Sequence, residues 1–289
     1  MCIRDSAYEP SYVEWPLELH LLAYLLTNKH FKMTDQSEIV IVPKKKVSKK
    51  KILIIEEDIP EVPTIDKVQF SENFVKCVTG YHYINTEPIN ETVWEAINSQ
   101  VLELSGCAVQ NTSSGSHSSG RDIMCGLGGL SNKSAKYAKK GAEFAISSYR
   151  LTTVCSDKDC GNVEAIVQEI NSRKNYDYYS FIVRDETEES ISYDWYLIPA
   201  DYPALSPESY TWEPMYGQRG KKTGEQVGWK TNEINGSKMS ITFSMSSQLW
   251  LNVAVTEELR GFIVGSCSVS KKTKLNYLQI YEMFSSPKV

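Results

Sequence analysis

A chain of 289 residues with 41% hydrophobic side chains is long and apolar enough to bury a sizeable core, which excludes wholesale disorder. A formal net charge of -5 excludes a protein that is basic all over, although a local basic groove can sit inside an acidic chain. Seven cysteines at irregular spacing argue against a secreted disulfide framework, and read as reduced thiols of an intracellular, cytoplasmic or nuclear protein.

Residues 1–32 differ from the rest. The opening MCIRDS resembles translated adapter sequence, so this stretch reads as a non-native extension with Met33 as the natural start; the alternative is a helix over Leu17–Thr27. The apolar run Leu17–Leu26 carries Glu18 and His20, is too short to span a bilayer and has no cleavage site, so no membrane partner is expected. Residues 33–65 hold KKKVSKKK followed by Glu56-Glu57-Asp58, a charge density that stays solvated and reads as a tail. The lysines could be an import signal, a phosphate clamp or only a solubilising linker.

A single folded domain is expected over residues 66–289. Val68–Val78 reads as an entry segment. Asn90 then caps a helix whose Val93, Trp94, Ile97, Val101 and Leu104 recur at helical spacing, with Gly106 ending it. After the polar loop NTSSGSHSSG, the runs Arg121–Cys125 and Leu130–Lys136 read as strands of a hairpin joined by Gly126-Leu127-Gly128-Gly129. Glu143–Thr153 reads as a strand, Asn162–Arg173 as an amphipathic helix, and Tyr178–Arg184 and Ile191–Ile198 as two further strands. Pro199–Gly228 reads as a long irregular connection, followed by strands at Met239–Met245, Leu249–Val255 and Phe262–Cys267.

The chemistry concentrates in Ser113–Lys136. Asp122 supplies hard oxygen ligands suited to Mg2+, and Lys133 on the return strand can orient a water or stabilise a phosphate oxyanion. Together these are the minimum for metal-assisted phosphodiester hydrolysis. His117 in the loop could contact a phosphate or assist proton transfer, or simply be solvated.

Ser119-Gly120-Arg121-Asp122-Ile123 followed by Ser131-Asn132-Lys133-Ser134 resembles the two half-motifs of the PD-(D/E)xK nucleases, the fold of many type II restriction endonucleases. The resemblance implies an α/β fold with a central mixed β-sheet flanked by helices, extended here by extra strands in the C-terminal half. It implies an endonuclease that cuts duplex DNA with Mg2+, with Asp122 a metal ligand and Lys133 positioning the water. A homodimer is the arrangement it leads one to expect. Ser131 stands where the family places a carboxylate, so another element must supply the acid: Glu95 first, with Glu91 and Glu143 also placed to do so. Ser148-Tyr149-Arg150 is a second way to align the later half-motif, with Arg in place of Lys.

Two further regions carry groups suited to DNA. Lys230, Asn232, Asn235 and Lys238 mix lysines with amides that contact phosphates and base edges, and the next run, SITFSMSSQ, alternates polar and apolar. Arg219, Lys221 and Lys222 form a basic loop patch suited to clamping a backbone, or simply a solvated loop tip. Cys155 and Cys160, in CSDKDC, lack the second pair of a structural zinc site and read as free thiols. Two other readings stay open: a non-catalytic DNA-binding relative of the same fold, and a β-rich interaction or structural module.

Overall fold

The structure, a computed structural model, describes residues 66–111, 120–244 and 247–285. The readings for residues 1–65 and for His117 lie outside the described residues.

Asp66 opens the described chain by accepting hydrogen bonds from the amides of Val68 and Gln69, which caps helix α1 (Lys67–Ile84). Phe70, Phe74, Val78 and His82 follow every fourth residue and form its buried stripe. The segment Val68–Val78, expected as an entry segment, is therefore helical. Asn90 caps α2 (Glu91–Leu104), as its sequence signals, and the helix ends at Gly106 with φ +82°.

Strands β1 (Val109–Asn111), β2 (Ile123–Cys125) and β3 (Gly128–Ala138) form an antiparallel meander. The β2–β3 turn packs against Asp177: the Gly129 amide donates to its carboxylate at 2.7 Å. A Cβ on Gly128, whose φ is +113°, would lie 2.5 Å from that carboxylate oxygen, so glycine is required there.

β4 (Glu143–Arg150) pairs with β3 only at Tyr137↔Phe144 and Ala138↔Glu143. Helix α3 (Val163–Arg173) then carries the chain across to β5 (Tyr178–Glu186), which runs parallel to β3, and β6 (Ser190–Pro199) returns antiparallel. The stretch expected as an irregular connection contains β7 (Trp212–Tyr216). It is followed by β8 (Gln226–Thr231), β9 (Lys238–Thr242), β10 (Gln248–Ala254), a short helix α4 (Glu257–Arg260), β11 (Ile263–Ser270) and helix α5 (Tyr277–Ser285).

These strands make one mixed sheet in the order β11-β6-β5-β3-β4-β10-β9-β8-β7, with β2 and then β1 added beside the start of β3. Alternation divides the side chains between two cores. Leu130, Ile182, Tyr193 and Trp195 face α1 and α2, whereas Ala135, Phe181, Val183 and Tyr196 face α3. The second core also contains Met239, Ile241, Leu249 and Leu251. Strands several places apart in the sheet thus line one core, so the sheet curls around it. The protein is a mixed α/β structure with a large mixed sheet and a few helices. No helix among the described residues is long and apolar enough to cross a membrane.

Candidate functional site

The hairpin β2–β3 stops pairing just where its two charged residues lie. The Asp122 amide donates to Leu130 O at 2.8 Å, the last rung of the ladder. One residue pair further on, the Asp122 carboxylate replaces the absent strand partner and accepts the Asn132 amide at 2.6 Å. The Ser131 hydroxyl also hydrogen-bonds this carboxyl group, which gives the serine at the acid position a clear structural role.

Lys133 lies in the gap where β3 has lost β2 and not yet met β4. Its side chain is only 13% exposed, and its Nζ is 2.7 Å from Glu91 Oε1 and 2.7 Å from Asn132 O. Glu91 and Glu95 are one turn apart on α2 and so share a face. Burial raises the pKa of Asp122 above the ordinary carboxylate range, opposed by the Lys133 ammonium and the Asn132 amide. Glu95 is raised too, first by burial and then by the like charges of Asp122 and Glu91. Asp122, Glu91, Glu95 and Lys133 therefore meet within one electrostatic neighbourhood, drawn from a loop end, a helix and a strand.

Carboxylate oxygens are the donors a hard divalent cation prefers, and mutual repulsion between Asp122 and Glu95 is what such a cation would relieve. In this conformation the acids are near neighbours without forming a closed cage: among the described residues no three His, Cys, Asp or Glu side chains gather closely enough to hold a metal. Asp122 and Glu95 carry the kind of oxygen donor a hard cation takes, but this conformation does not gather them into a metal site.

Beneath the charged groups lies a buried polar network that sequence reading missed. Asn98, on α2, donates from one side-chain nitrogen to Asn132 Oδ1 at 2.6 Å and to Ser180 Oγ at 2.9 Å. Trp195 donates to the same Ser180 hydroxyl, and Trp94 donates to Ser180 O. Asn98 and Asn132 are fully buried. An amide on the apolar stripe Trp94–Ile97–Asn98–Val101 was the signal available. Ser134 Oγ donates to Ile89 O, tying the approach to α2 to the same strand.

The other expected site residues are placed elsewhere. Glu143 pairs with Lys139 at 2.7 Å where β4 begins, among neither the carboxylates nor Lys133. Of the alternative half-motif, Ser148 is buried and Tyr149 hydrogen-bonds Tyr176 at 2.6 Å.

Lys230 lies on β8, 3.0 Å from Glu213, and Lys238 opens β9, 3.1 Å from Glu233. Asn232 is engaged by the Thr211 amide, which donates to its side chain at 2.8 Å. Asn235, with φ +50°, occupies the left-handed position of the β8–β9 turn. Arg219 and Lys221 lie at the β7–β8 turn, at the opposite end of the six-residue β8, roughly 20 Å from Asn232. The expected nucleic-acid residues thus divide between two ends of a strand.

The described cysteines, Cys155 and Cys160 included, are free thiols. Comparison with protein-family models, with curated proteins and with solved structures finds no match to this chain.

Proposed function

We propose that this chain is a restriction-endonuclease-like hydrolase that cuts the phosphodiester backbone of duplex DNA with the help of Mg2+. The observation that carries the reading is the meeting of Asp122 and Lys133 with the carboxylates of Glu91 and Glu95, from positions up to 42 residues apart. Support also comes from the order of elements: a helix bearing acids, an aspartate entering a strand, a glycine hairpin, then a strand bearing lysine followed by serine. This is the order that the resemblance to PD-(D/E)xK nucleases implies.

In this reading Asp122 and Glu95 hold the cation, and Glu95 replaces the acid absent at Ser131. Ser131 orients the Asp122 carboxylate by its hydroxyl. Bound Mg2+ supplies Lewis-acid polarisation of a phosphate oxygen. Lys133, kept largely from solvent and held by Glu91, orients the attacking water and offsets the negative charge that develops on phosphorus-bound oxygens. A dimer is the assembly expected if both strands are cut. The open arrangement of the acids favours one second reading, a DNA-binding relative of the same fold without cleavage.

Plasmid nicking in Mg2+, compared among the wild-type protein, Asp122→Ala, Lys133→Ala and Glu95→Gln, tests the proposal. Each substitution is expected to lower the rate by about 100-fold or more, the scale of losing a preorganised transition-state contact. Equal nicking by all four proteins overturns it. Wild-type protein that retards DNA on a gel without nicking it moves the conclusion to the non-cleaving relative.

A further inference from the structure

Among the described residues, no helix packs on the outer face of β4, β10, β9 and β8. Ile146, Leu249, Leu251, Met239 and Ile241 point inward to the second core, so alternation sends Ser147, Trp250 and Ser240 outward. Strand register sets these outward residues in a straight row: Ser147 opposite Trp250, Trp250 opposite Ser240, Ser240 opposite Lys230, Lys230 opposite Glu213. Trp250, the largest side chain in the row, is 41% exposed. On one side of it, Arg150 is paired with Gln248; on the other, Lys238 is paired with Asn252.

The indole is thus partly open to solvent, with hydroxyls and amides around it. It fills no cavity, since the core beneath is closed by the aliphatic residues of the same strands. A large flat ring set among polar donors and flanked by cations matches the chemistry of a stacking platform for nucleobases, whose phosphates run along the charged groups. The cations Arg150, Lys230 and Lys238 face the acids Glu213 and Glu233, three charges against two, while Glu143 is balanced by Lys139. The face is therefore net positive on a chain whose net charge is -5. The two lysine–glutamate pairs are about half exposed, so they hold their partners weakly and yield them to phosphate at little cost.

We propose that this face binds single-stranded nucleic acid, with a base stacked on Trp250 and the backbone along Arg150, Lys230 and Lys238. A single strand is required because a duplex keeps its bases stacked on each other and offers none to the indole. The platform begins on β4, the neighbour of β3 in the sheet, so it starts one strand from Lys133. Binding here needs neither metal nor the lysine, and the inference does not rest on the cleavage proposal.

The test is fluorescence anisotropy of a short labelled oligothymidylate titrated with the full chain in EDTA, where no cleavage can occur. Trp250→Ala is expected to weaken binding roughly tenfold, the loss of one stacked base, and Trp250→Phe to keep most of the affinity. Tyr216→Ala, which removes an exposed aromatic outside the row, is expected to change nothing. A duplex with one strand of the same sequence is expected to bind more weakly. Undiminished binding by Trp250→Ala, or no binding by the wild-type chain at low salt, overturns the proposal. So does a shift from dimer to monomer on sedimentation of Trp250→Ala with oligonucleotide affinity unchanged, which makes the face a contact between copies. Because binding is read in EDTA and nicking in Mg2+, failure of either proposal is visible without the other.

Discussion

Under α1 and α2 the core joins the rings of Phe70, Phe74, Trp94 and Trp195, with centroids 5.6–5.9 Å apart, to a fully buried Asn98–Asn132–Ser180 network and the imidazole of His82. Across the sheet, the core around Phe144, Phe181 and Leu251 admits polar atoms chiefly as tyrosine, serine and threonine hydroxyls, such as the Tyr149–Tyr176 pair. Hydroxyls rotate to suit whatever is near them, whereas amides have fixed donors and acceptors that accept one arrangement. The first core therefore specifies how α2 sits on β3, and the acids Glu91 and Glu95 ride on that helix. The second core supplies bulk and is indifferent to such detail.

Loss of the largest ring from the first core is the strongest way to break this contrast. Trp94→Ala removes a fully buried indole that packs edge-on against Phe74 and Trp195 and donates to Ser180 O, and should cost about 3–5 kcal/mol in urea unfolding. Phe144→Ala in the second core should fall in the same range, because volume counts equally on both sides. The polar groups should separate the cores. Asn98→Leu strands the buried Asn132 amide, at about 1–3 kcal/mol. Adding Asn132→Leu should recover part of that loss, since it removes the stranded amide while Ser180 Oγ keeps the hydrogen bond from Trp195. Tyr149→Phe should cost only about 1 kcal/mol. Equal losses for Asn98→Leu and Tyr149→Phe would erase the distinction.

Helix α2, the hairpin and Asp122 with Lys133 were legible because each is written locally: a cap with a 3.6-residue stripe, a glycine-rich turn, and two charges a hairpin apart. With Ser131 at the position where the resemblance implies an acid, that resemblance pointed to another element, Glu95 first, and the structure places Glu91 and Glu95 one turn apart on α2. Helix α1 carried the same kind of stripe at Phe70, Phe74 and Val78, but its fourth member is His82, whose burial depends on Tyr193, 111 residues away. The Asn98–Asn132 pair was illegible for a related reason: a buried amide reads like an exposed one until its partner, 34 residues on, is known. β7 was hidden by Pro214 within a stretch rich in turn residues, a composition that favours a loop unless neighbouring strands impose a ladder.

His82 gives the first core a pH dependence that the second should lack. Its Nδ1 lies 3.1 Å from Asn85 O, so Nδ1 carries the proton and Nε2 accepts from the Tyr193 hydroxyl at 3.0 Å. Burial lowers its pKa, opposed in part by the Asn85 carbonyl. Below the unfolded value of about 6.5 the unfolded chain takes up a proton that the folded chain refuses, so stability is full above that pH and falls as pH drops towards the folded value. The urea midpoint should decline between about pH 7 and pH 5, and His82→Gln should flatten the decline. An identical decline in the variant would place the titrating group elsewhere.

The smallest effect has the opposite sign and concerns the rim of α2. Glu95 is pushed up by burial and by the charges of Asp122 and Glu91, so the folded chain keeps a proton that the unfolded chain has released above about pH 4.3. Its contribution is most favourable below that pH and is lost as pH rises through the folded value, which leaves an ionised Glu95 as a net cost at neutral pH. Glu95→Gln should therefore raise Tm by about 1–2 °C at neutral pH, with the gain vanishing near pH 4. A structural glutamate would behave the other way and its loss would lower Tm. A gain in stability from the same substitution that removes Mg2+-dependent nicking would show that the acid is kept for its charge, at the expense of the fold that carries it.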